Sequence, residues 1–361
     1  MASSSKNFHY HYDPNNDSIN PFFQEQFNNQ FEAAEEAIPV EKNTHIYIDR
    51  QREDGHERFW NDYFSDNPTY MERQFRRRFR MNKSLFLRIV NRLSEEVPYF
   101  QPKKDATFRN GFSPLQQCTA AIRLLAYGIG TDSVDEYLRI SESTSRKCLE
   151  HVVVGIVDLF GTEYLRRPTQ ADLQRLLFYG EQRGFPGMVG SIDCMHWKWK
   201  NCPTAWKGMY SRGTDKPTIV LEAVASQDLW IWHAFFGALG TCNDLNVLGQ
   251  SPVFNDIIYG RAPKVTYYVN GNEYNLAYYL TDGIYPEWAT FVKSIPQPQH
   301  GKHRLFAERQ EGARKDVERA FGVLQSRFVM IKNPSLLWSK DKIAYIMRAC
   351  LIVQNMIVED E

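Results

Sequence analysis

Residues 313–328 have the sequence ARKDVERAFGVLQSRF, in which apolar residues recur at helical spacing beside a charged edge. This pattern predicts an amphipathic helix whose apolar face packs on a core. Glu318 lies at the edge of the apolar stripe, where its carboxylate can lean over a neighbouring sheet. Gly322 follows one turn later. Because a glycine inside a helix costs about 1 kcal/mol relative to alanine, we expect a close approach to the backbone there.

Two aspartates upstream stand at the ends of strand-like runs. Asp193 closes an apolar run in GMVGSIDCMHW, and Asp282 follows the last strand-like run in YYLTDGIYP. Clustered carboxylates repel one another unless a cation lies among them, and oxygen ligands favour Mg²⁺ or Mn²⁺. Two such ions can activate an attacking hydroxyl and stabilise a departing oxygen. We therefore predict that Asp193, Asp282 and Glu318 together hold divalent metal, although each acid taken singly has an ordinary explanation as a turn former or a solvated helix residue.

The chain between residues 187 and 327 alternates between strand-like and helical patterns. The predicted strands are β-rich runs at residues 188–194, 218–225, 229–236, 265–269 and 275–280. Asn270-Gly271 predicts a hairpin between the last two, and Asp282 closes the second of them. The predicted helices are residues 244–258, which Asp244 opens, and residues 305–327. Three antiparallel strands, a helix, a strand and a terminal helix form the order of a ribonuclease-H-like fold.

Charge is unevenly distributed along the chain. Lys+Arg and Asp+Glu both number 43, yet residues 1–50 contain three basic and eight acidic residues, and residues 72–92 contain eight basic and one acidic. A basic block behind an acidic leader fits a protein that binds nucleic acid. Within the block, Arg76, Arg77 and Arg78 fall between helically spaced aromatic residues. We predict that they contact DNA, although such a basic face is more often merely solvated.

Residues 113–165 show the element order of a helix-turn-helix region. Ser113-Pro114 begins a predicted helix that runs to Tyr127, and residues 133–138 predict a short second helix. Residues 141–147 (SESTSRK) open a third, which would place Arg146 and Lys147 toward phosphates or base edges. A plain helical bundle explains the same pattern, so both interpretations stay open.

Several protein classes are excluded by composition. No run of eighteen apolar residues is present, so no membrane span is predicted, and the N-terminus lacks the pattern of a secretory signal. The six cysteines are scattered without a CxxC pair, which is typical of reduced thiols in a cytosolic or nuclear protein.

Basic and aromatic residues surround the candidate acids. Arg314, Lys315 and Arg319 flank Glu318 and would suit phosphates. The aromatic residues that follow Asp193 alternate with cations and comprise Trp197, Trp199, Trp206 and Tyr210. They could stack on unpaired bases, or the tryptophans could simply pack a β-hairpin. The sequence favours neither.

Four blocks of this sequence resemble the signature blocks of plant transposases of the PIF/Harbinger superfamily, in particular the Pong-like branch and its domesticated Harbinger-type nuclease relatives. The blocks lie in the same order as in that family and are GSIDCMHWKWKNCPTAWKGMYSRG, GTCNDLNVL, LTDGIYPEWATFV and EGARKDVERAFGVLQSRF. The resemblance covers residues 185–358 and implies a DDE catalytic core. It implies that Asp193, Asp282 and Glu318 are the catalytic triad and that Asp244 also binds metal. By its own pattern, Asp244 is an N-cap instead.

The expected fold class is α plus α/β, with an N-terminal helical, helix-turn-helix-like region followed by a ribonuclease-H-like DDE catalytic domain. The expected parts are a disordered acidic and polar leader, a basic aromatic-rich helical module, the helix-turn-helix-like region, a connector and the nuclease domain, at residues 1–57, 58–112, 113–165, 166–185 and 186–358.

The expected function is divalent-metal-dependent cutting and joining of DNA phosphodiesters at transposon ends, with Mg²⁺ or Mn²⁺ as cofactor. The expected partners are double-stranded DNA and, from the resemblance, a Myb-like DNA-binding protein, with homo-oligomerisation left open. We expect a nuclear location, with a cytoplasmic phase left open. One alternative is a domesticated DNA- or chromatin-binding protein that no longer cuts. Another is a helix-turn-helix regulator with an unrelated α/β ligand domain, which leaves the matching motifs unexplained.

Overall fold

The computed structural model describes residues 50–361, apart from 105–107, 129, 131, 214, 256–258 and 260–264. Of the predicted disordered leader, residues 1–57, residues 1–49 lie outside the described residues, whereas residues 52–57 are helical. Helices come before the main sheet, as the spacing of apolar residues predicts. They are α1 Arg52–Tyr63, α2 Glu72–Phe79, α3 Lys83–Glu96, α4 Pro114–Tyr127, α5 Asp132–Leu138, α6 Glu142–Tyr164 and α7 Gln170–Gln182. The predicted connector, residues 166–185, therefore contains a helix.

The first three helices share a core of aromatic rings. Phe75 and Phe79 on α2 stack with their ring centroids 4.0 Å apart, and Phe86 on α3 lies edge-on to Phe79 at 5.0 Å. These rings are fully buried, whereas Arg76 and Arg77 between them are exposed. The 3.6-residue period of a helix thus separates an aromatic face from a basic face.

The helices of the predicted helix-turn-helix region begin at hydroxyl caps. Ser113 accepts a hydrogen bond from the Gln116 backbone N–H (3.2 Å), and the Gln116 side chain accepts one from the Ser113 N–H, which forms a capping box for α4. Ser141 caps α6 in the same way through Thr144 (3.3 Å). Helix α4 ends at Gly128 in the left-handed conformation, φ 58°. These bounds agree with the sequence pattern, and the DNA-reading role of the region stays a prediction.

The main sheet contains strands β1 Met188–Lys198, β2 Thr218–Ala225, β3 Ile231–Leu239, β6 Tyr278–Leu280 and β7 Phe291–Val292. Its strand order is β3-β2-β1-β6-β7. Strands β1, β2 and β3 are antiparallel neighbours, whereas β6 is parallel to β1 and β7 is parallel to β6. Two short helices, α8 Lys207–Tyr210 and α9 Asp244–Leu248, lie in the connections. This mixed architecture confirms the α plus α/β class.

The predicted hairpin is present, but its second strand was placed wrongly. Asn270 and Gly271 both have positive φ (51° and 81°) and connect β4 Tyr267–Val269 to β5 Asn272–Tyr274 in a separate two-stranded sheet. The predicted strand at residues 275–280 instead leaves the hairpin, and its last three residues form β6. Tyr278 and Leu280 are buried in the main core, which explains their pairing with β1.

The predicted helix at residues 305–327 is two helices. Helix α10 spans Gly301–Arg314 and α11 spans Asp316–Arg327, with a break at Lys315 (φ −70°, ψ 2°). The prediction that another group packs closely against the Gly322 backbone was wrong, because a Cβ added there would meet no described atom within 4 Å. The predicted helix at residues 244–258 was also too long, since α9 ends at Leu248; residues 256–258 lie outside the described part.

The last helices close the structure over the sheet and the helical region together. Helix α12 spans Val329–Lys332 and α13 spans Lys340–Asp360, and most of α13 is buried. On α13, the Asn355 amide donates to the carbonyls of Ile231 on β3 (2.8 Å) and Tyr164 on α6 (2.7 Å). Its oxygen accepts from the Ile231 N–H (2.9 Å). The described helices include none long and apolar enough for a membrane span.

Candidate active site

Asp193 and Glu318 lie on the same side of the sheet. Side chains alternate along a strand, so Ser191, Asp193 and Met195 share one face of β1. Helix α11 covers that face. The backbone N–H immediately before Glu318 donates to Ser191 Oγ (3.0 Å), and the Gln325 amide lies 3.1 Å from Met195 Sδ. The first turn of α11 is therefore fixed beside Asp193.

Strand β6 brings Asp282 level with Asp193. The parallel register pairs Leu280 with Ser191, and each aspartate lies two residues beyond its paired residue. Asp282 Oδ1 accepts a hydrogen bond from the Ile284 N–H (3.0 Å), which fixes the carboxylate at the start of the following turn. Backbone pairing of neighbouring strands therefore sets the two aspartates side by side, and Asp282 follows a strand of the main sheet, not the hairpin strand to which we assigned it.

Asp244 is the first residue of α9, not its cap. The cap is Asn243, whose side-chain oxygen accepts from the Asn246 N–H (2.9 Å), so the N-cap interpretation of Asp244 was wrong. Burial raises the pKa of Asp244, with the neighbouring Cys194 thiol opposing the shift and the charge of Asp282 adding to it. Asp244 thus has its carboxylate free of capping and close to a second acid.

The electrostatics of Asp193 agree with a position near the other three acids. Burial raises the pKa of Asp193 to about 6, against the opposing hydrogen bond from the Cys194 backbone N–H (2.7 Å). The charges of Asp244, Asp282 and Glu318 raise it further. Like charges act in this way only when they lie close together. The contact of α11 with Ser191 thus brings positions 125 residues apart, Asp193 and Glu318, to the same face of the sheet.

The four carboxylates converge without forming a ready-made cage. Within the described part of the chain, no three His, Cys, Asp or Glu side chains have the arrangement needed to hold a metal ion. One oxygen of Asp193, of Asp282 and of Glu318 is already engaged by a protein donor. By chemical type the set fits a hard cation, because all four donors are carboxylates. Because the charges of the other three acids act on Asp193, we treat the four acids as neighbours whose side chains must rotate before they can share a cation. Their metal-binding and catalytic roles stay predictions.

The three basic residues predicted around Glu318 differ in their surroundings. Arg314 is largely buried and donates to both Glu311 (3.1 Å) and Glu318 (3.0 Å). Lys315 and Arg319 are exposed, and Arg319 pairs with the buried Asp316. Their contact with phosphates stays a prediction.

The five basic residues predicted to bind DNA in the helical region are not equivalent. Arg77 is exposed and has no hydrogen bond or ion pair with another described residue. Arg76 and Arg146 are exposed in ion pairs with Glu361 and Glu142, respectively. Such pairs are weak and leave both arginines available.

The other two basic residues of this set also differ from each other. Lys147 is exposed in the first turns of α6. Arg78 instead donates to Tyr63 Oη (2.5 Å) and lies 3.8 Å over the Tyr70 ring, so it stabilises the aromatic module. Arg78 therefore does not belong to the exposed basic face, and our prediction that it contacts DNA from that face needs this correction.

The two tryptophans beyond Asp193 pack inside the protein. Trp197 Nε1 donates to the Asn333 carbonyl (2.8 Å), and Trp199 Nε1 donates to the Leu337 carbonyl (2.7 Å). Both rings are buried, whereas Trp206 is 41% exposed. The structure thus favours packing for Trp197 and Trp199 and leaves Trp206 accessible.

A buried acid on β2 was missed by the sequence analysis. Glu222 is fully buried, and neither carboxyl oxygen has a hydrogen bond of good geometry among the described residues. Burial raises its pKa to about 7, with the nearby Ser251 hydroxyl opposing the shift and Asp244 adding to it. His233 Nε2 lies 3.8 Å from the carboxylate, and burial lowers the His233 pKa to about 4. The available signal was an acid inside the apolar run TIVLEAVA.

A second missed acid, Asp316, fixes the start of α11. Its side chain is fully buried and accepts two hydrogen bonds from Arg183, which follows α7 in the chain. Arg319 also pairs with it. No local pattern shows this contact, because Arg183 and Asp316 are 133 positions apart.

Comparison with known proteins gives the family. A family model described as a plant transposon protein matches residues 162–361, which is more than half of the chain. The chain belongs to the plant transposon protein family. This membership confirms the resemblance to the PIF/Harbinger superfamily. A second family model, a domain of unknown function (DUF8418), matches residues 55–94, which include most of α1, all of α2 and most of α3.

This plant transposon family protein is also similar to curated animal proteins. It is 24% identical over 260 residues to “Putative nuclease HARBI1” of Bos taurus and 23% identical over 253 residues to the protein of the same name from Homo sapiens. Each alignment covers 68% of this chain and 68% of the relative. No solved structure gives a significant match.

Proposed function

We propose that this plant transposon family protein is a divalent-metal-dependent DNA nuclease and transposase that cuts and joins phosphodiesters at transposon ends. The observation that carries the proposal is the placement of the acids by the fold. The β1–β6 register sets Asp193 level with Asp282, and the bond to Ser191 holds the first turn of α11, which bears Glu318, over the same face of the sheet. The nuclease name of the animal relatives supports the proposal. We further propose that residues 186–358 form a ribonuclease-H-like DDE domain. The strand order of the main sheet, β3-β2-β1-β6-β7, supports this proposal.

The four acids would hold Mg²⁺ or Mn²⁺, which supplies positive charge to the attacking and departing oxygens of a phosphodiester. The chain itself does the positioning. Pairing of β1 with β6 fixes Asp193 beside Asp282, and Ser191 fixes the turn of α11 that carries Glu318. Partial burial of Asp193 strengthens the charge interactions at its carboxylate.

Duplex DNA is the proposed substrate, and exposed cations would bind its phosphates. Lys315 and Arg319 lie exposed on the segment that carries Glu318, and Arg77 and Lys147 lie exposed on the helical region. Phosphate contacts of this kind orient a protein on DNA without reading its sequence. From the family resemblance we also propose a nuclear location and a Myb-like DNA-binding partner, with homo-oligomerisation left open.

The proposal is tested by nicking of supercoiled plasmid DNA by the purified full chain. We expect nicking with Mg²⁺ or Mn²⁺, none after chelation, and loss of at least about 100-fold in rate for Glu318→Gln, because the amide removes the charge that holds the cation. Glu308→Gln, an exposed residue on α10, is the matched control and should cut like the wild type.

Unchanged cutting by Glu318→Gln, or cutting after chelation, would move the chemistry elsewhere. The alternative function, a domesticated DNA- or chromatin-binding protein without cleavage, predicts a different result. In that case the wild type binds duplex DNA and no metal produces nicks.

A further inference from the structure

Arg314 places a positive charge inside the group of acids. Its Nη1 donates to Glu318 Oε1 (3.0 Å) and its Nε to Glu311 Oε2 (3.1 Å), and only 19% of the side chain is exposed. The guanidinium therefore pairs with both glutamates.

Glu318 differs from the two strand-borne aspartates in the kind of donor that holds it. Asp193 and Asp282 each accept from a backbone N–H, which is fixed by the strand or turn that carries it. Glu318 accepts from a side chain on the preceding helix, across the break at Lys315. A side chain can rotate away without any change of fold. Of these three acids, Glu318 is the one whose availability depends on a movable partner.

We propose that Arg314 is a positioning residue that acts as a built-in counter-ion: it holds the Glu318 carboxylate and competes with a divalent cation for it. The inference rests on the proposed function to the extent that a cation binds at these acids. It adds that cation binding must displace the bond between Arg314 and Glu318. The same guanidinium is then available for another anion, such as a DNA phosphate.

Removal of the guanidinium has two effects with the same sign. It frees the bonded oxygen of Glu318, and it removes a positive charge that repels an arriving cation. Arg314→Met, which keeps most of the hydrocarbon stem, should therefore bind Mn²⁺ about tenfold more tightly than the wild type. A merely structural ion pair predicts the opposite, because a disordered Glu318 would weaken binding.

The experiment measures free Mn²⁺ by electron paramagnetic resonance during titration of the full chain without DNA. Arg309→Met is the matched control, because Arg309 is an exposed arginine on the same helix, α10, and has no part in the proposed site. Its Mn²⁺ affinity should stay within about twofold of the wild type, since its charge is exposed and screened. Thermal melts add a second readout. Arg314→Met should melt below the wild type in chelator, because the acids lose their counter-ion, and saturating Mn²⁺ should remove that difference.

Equal or weaker Mn²⁺ binding by folded Arg314→Met, when the wild type binds Mn²⁺, would overturn the counter-ion role and leave the proposed function standing. A wild type that binds no Mn²⁺ would overturn both. If Arg314→Met does not fold, Arg314→Gln removes the charge while keeping an amide donor. It carries the same prediction of tighter binding and the same refutation.

Discussion

Breaking the contact between Arg183 and Asp316 by removing one partner should destabilise the protein more than breaking any exposed ion pair among the described residues. The Asp316 carboxylate is fully buried and accepts two hydrogen bonds from Arg183, whose side chain is 24% exposed. Removal of one partner from a buried pair costs about 3–5 kcal/mol, because the remaining charge is left without compensation. Arg319 also contacts Asp316, so we expect the lower end, about 3 kcal/mol, for Arg183→Met.

Urea unfolding followed by tryptophan fluorescence measures this loss as a shift of the midpoint. The matched control is Arg146→Met, which breaks an exposed pair with Glu142 and should cost at most about 0.5 kcal/mol. The double variant Arg183→Met with Asp316→Leu should recover most of the loss, because no buried charge remains. The reasoning is wrong if Arg183→Met is no more destabilising than Arg146→Met.

Three other predictions concern pH, positioning and DNA contact. The raised pKa of Glu222, about 7 against an ordinary 4.5, means that the folded protein retains a proton that the unfolded chain loses over this range. Stability contributed by this group is therefore fully present below about pH 4.5 and lost as the pH rises through about 7. Glu222→Gln should reduce the difference between the unfolding free energies at about pH 5 and about pH 8. An unchanged difference would contradict the claim that folded Glu222 retains its proton. Ser191→Ala should lower the free energy of unfolding in urea by about 1–3 kcal/mol, because the buried Val317 N–H loses its acceptor. Ser191→Thr keeps a hydroxyl acceptor and should retain most of the wild-type stability. Alanine at Arg77 and Lys147 should lower the slope of log affinity for duplex DNA against log salt by about 0.9 per lost phosphate contact, and an unchanged slope would remove them from the interface.

Local chemistry explains the elements that the sequence predicted well. Ser113 followed by Pro114 and Gln116 is sufficient to begin α4, because the cap, the fixed proline φ and the returning amide all act within one turn. Asn270 and Gly271 likewise form their turn because both tolerate positive φ. The three antiparallel strands followed from runs of β-rich residues.

The errors arose where distant contacts decide the local structure. Tyr278 and Leu280 pair with β1 because they fill the core beside Phe185 and Met188, which no alternation within the segment reveals. The long helix breaks at Lys315 without a proline or glycine. The structure ties the residues just after the break to Arg183 and Ser191, far away in sequence.

The acids of the site were accessible from sequence, and their surroundings were not. Asp193, Asp282 and Glu318 were found from strand ends and a helix edge, and the family resemblance added Asp244. Several of the contacts around them come from other elements, such as the bond between Ser191 on β1 and the first turn of α11. Even Arg314, four residues before Glu318, was predicted to bind phosphate, and its bond to the carboxylate appears only in the structure.

Mn²⁺ binding by the purified chain tests the central claim, shared use of a cation by these acids, most directly. Electron paramagnetic resonance titration of the wild type should show saturable binding, and Asp193→Asn should weaken it by at least about tenfold, because the most buried acid of the set loses its charge. The exposed control Asp215→Asn should bind like the wild type. The account is contradicted if the wild type binds no Mn²⁺, or if Asp193→Asn binds it as tightly as Asp215→Asn does.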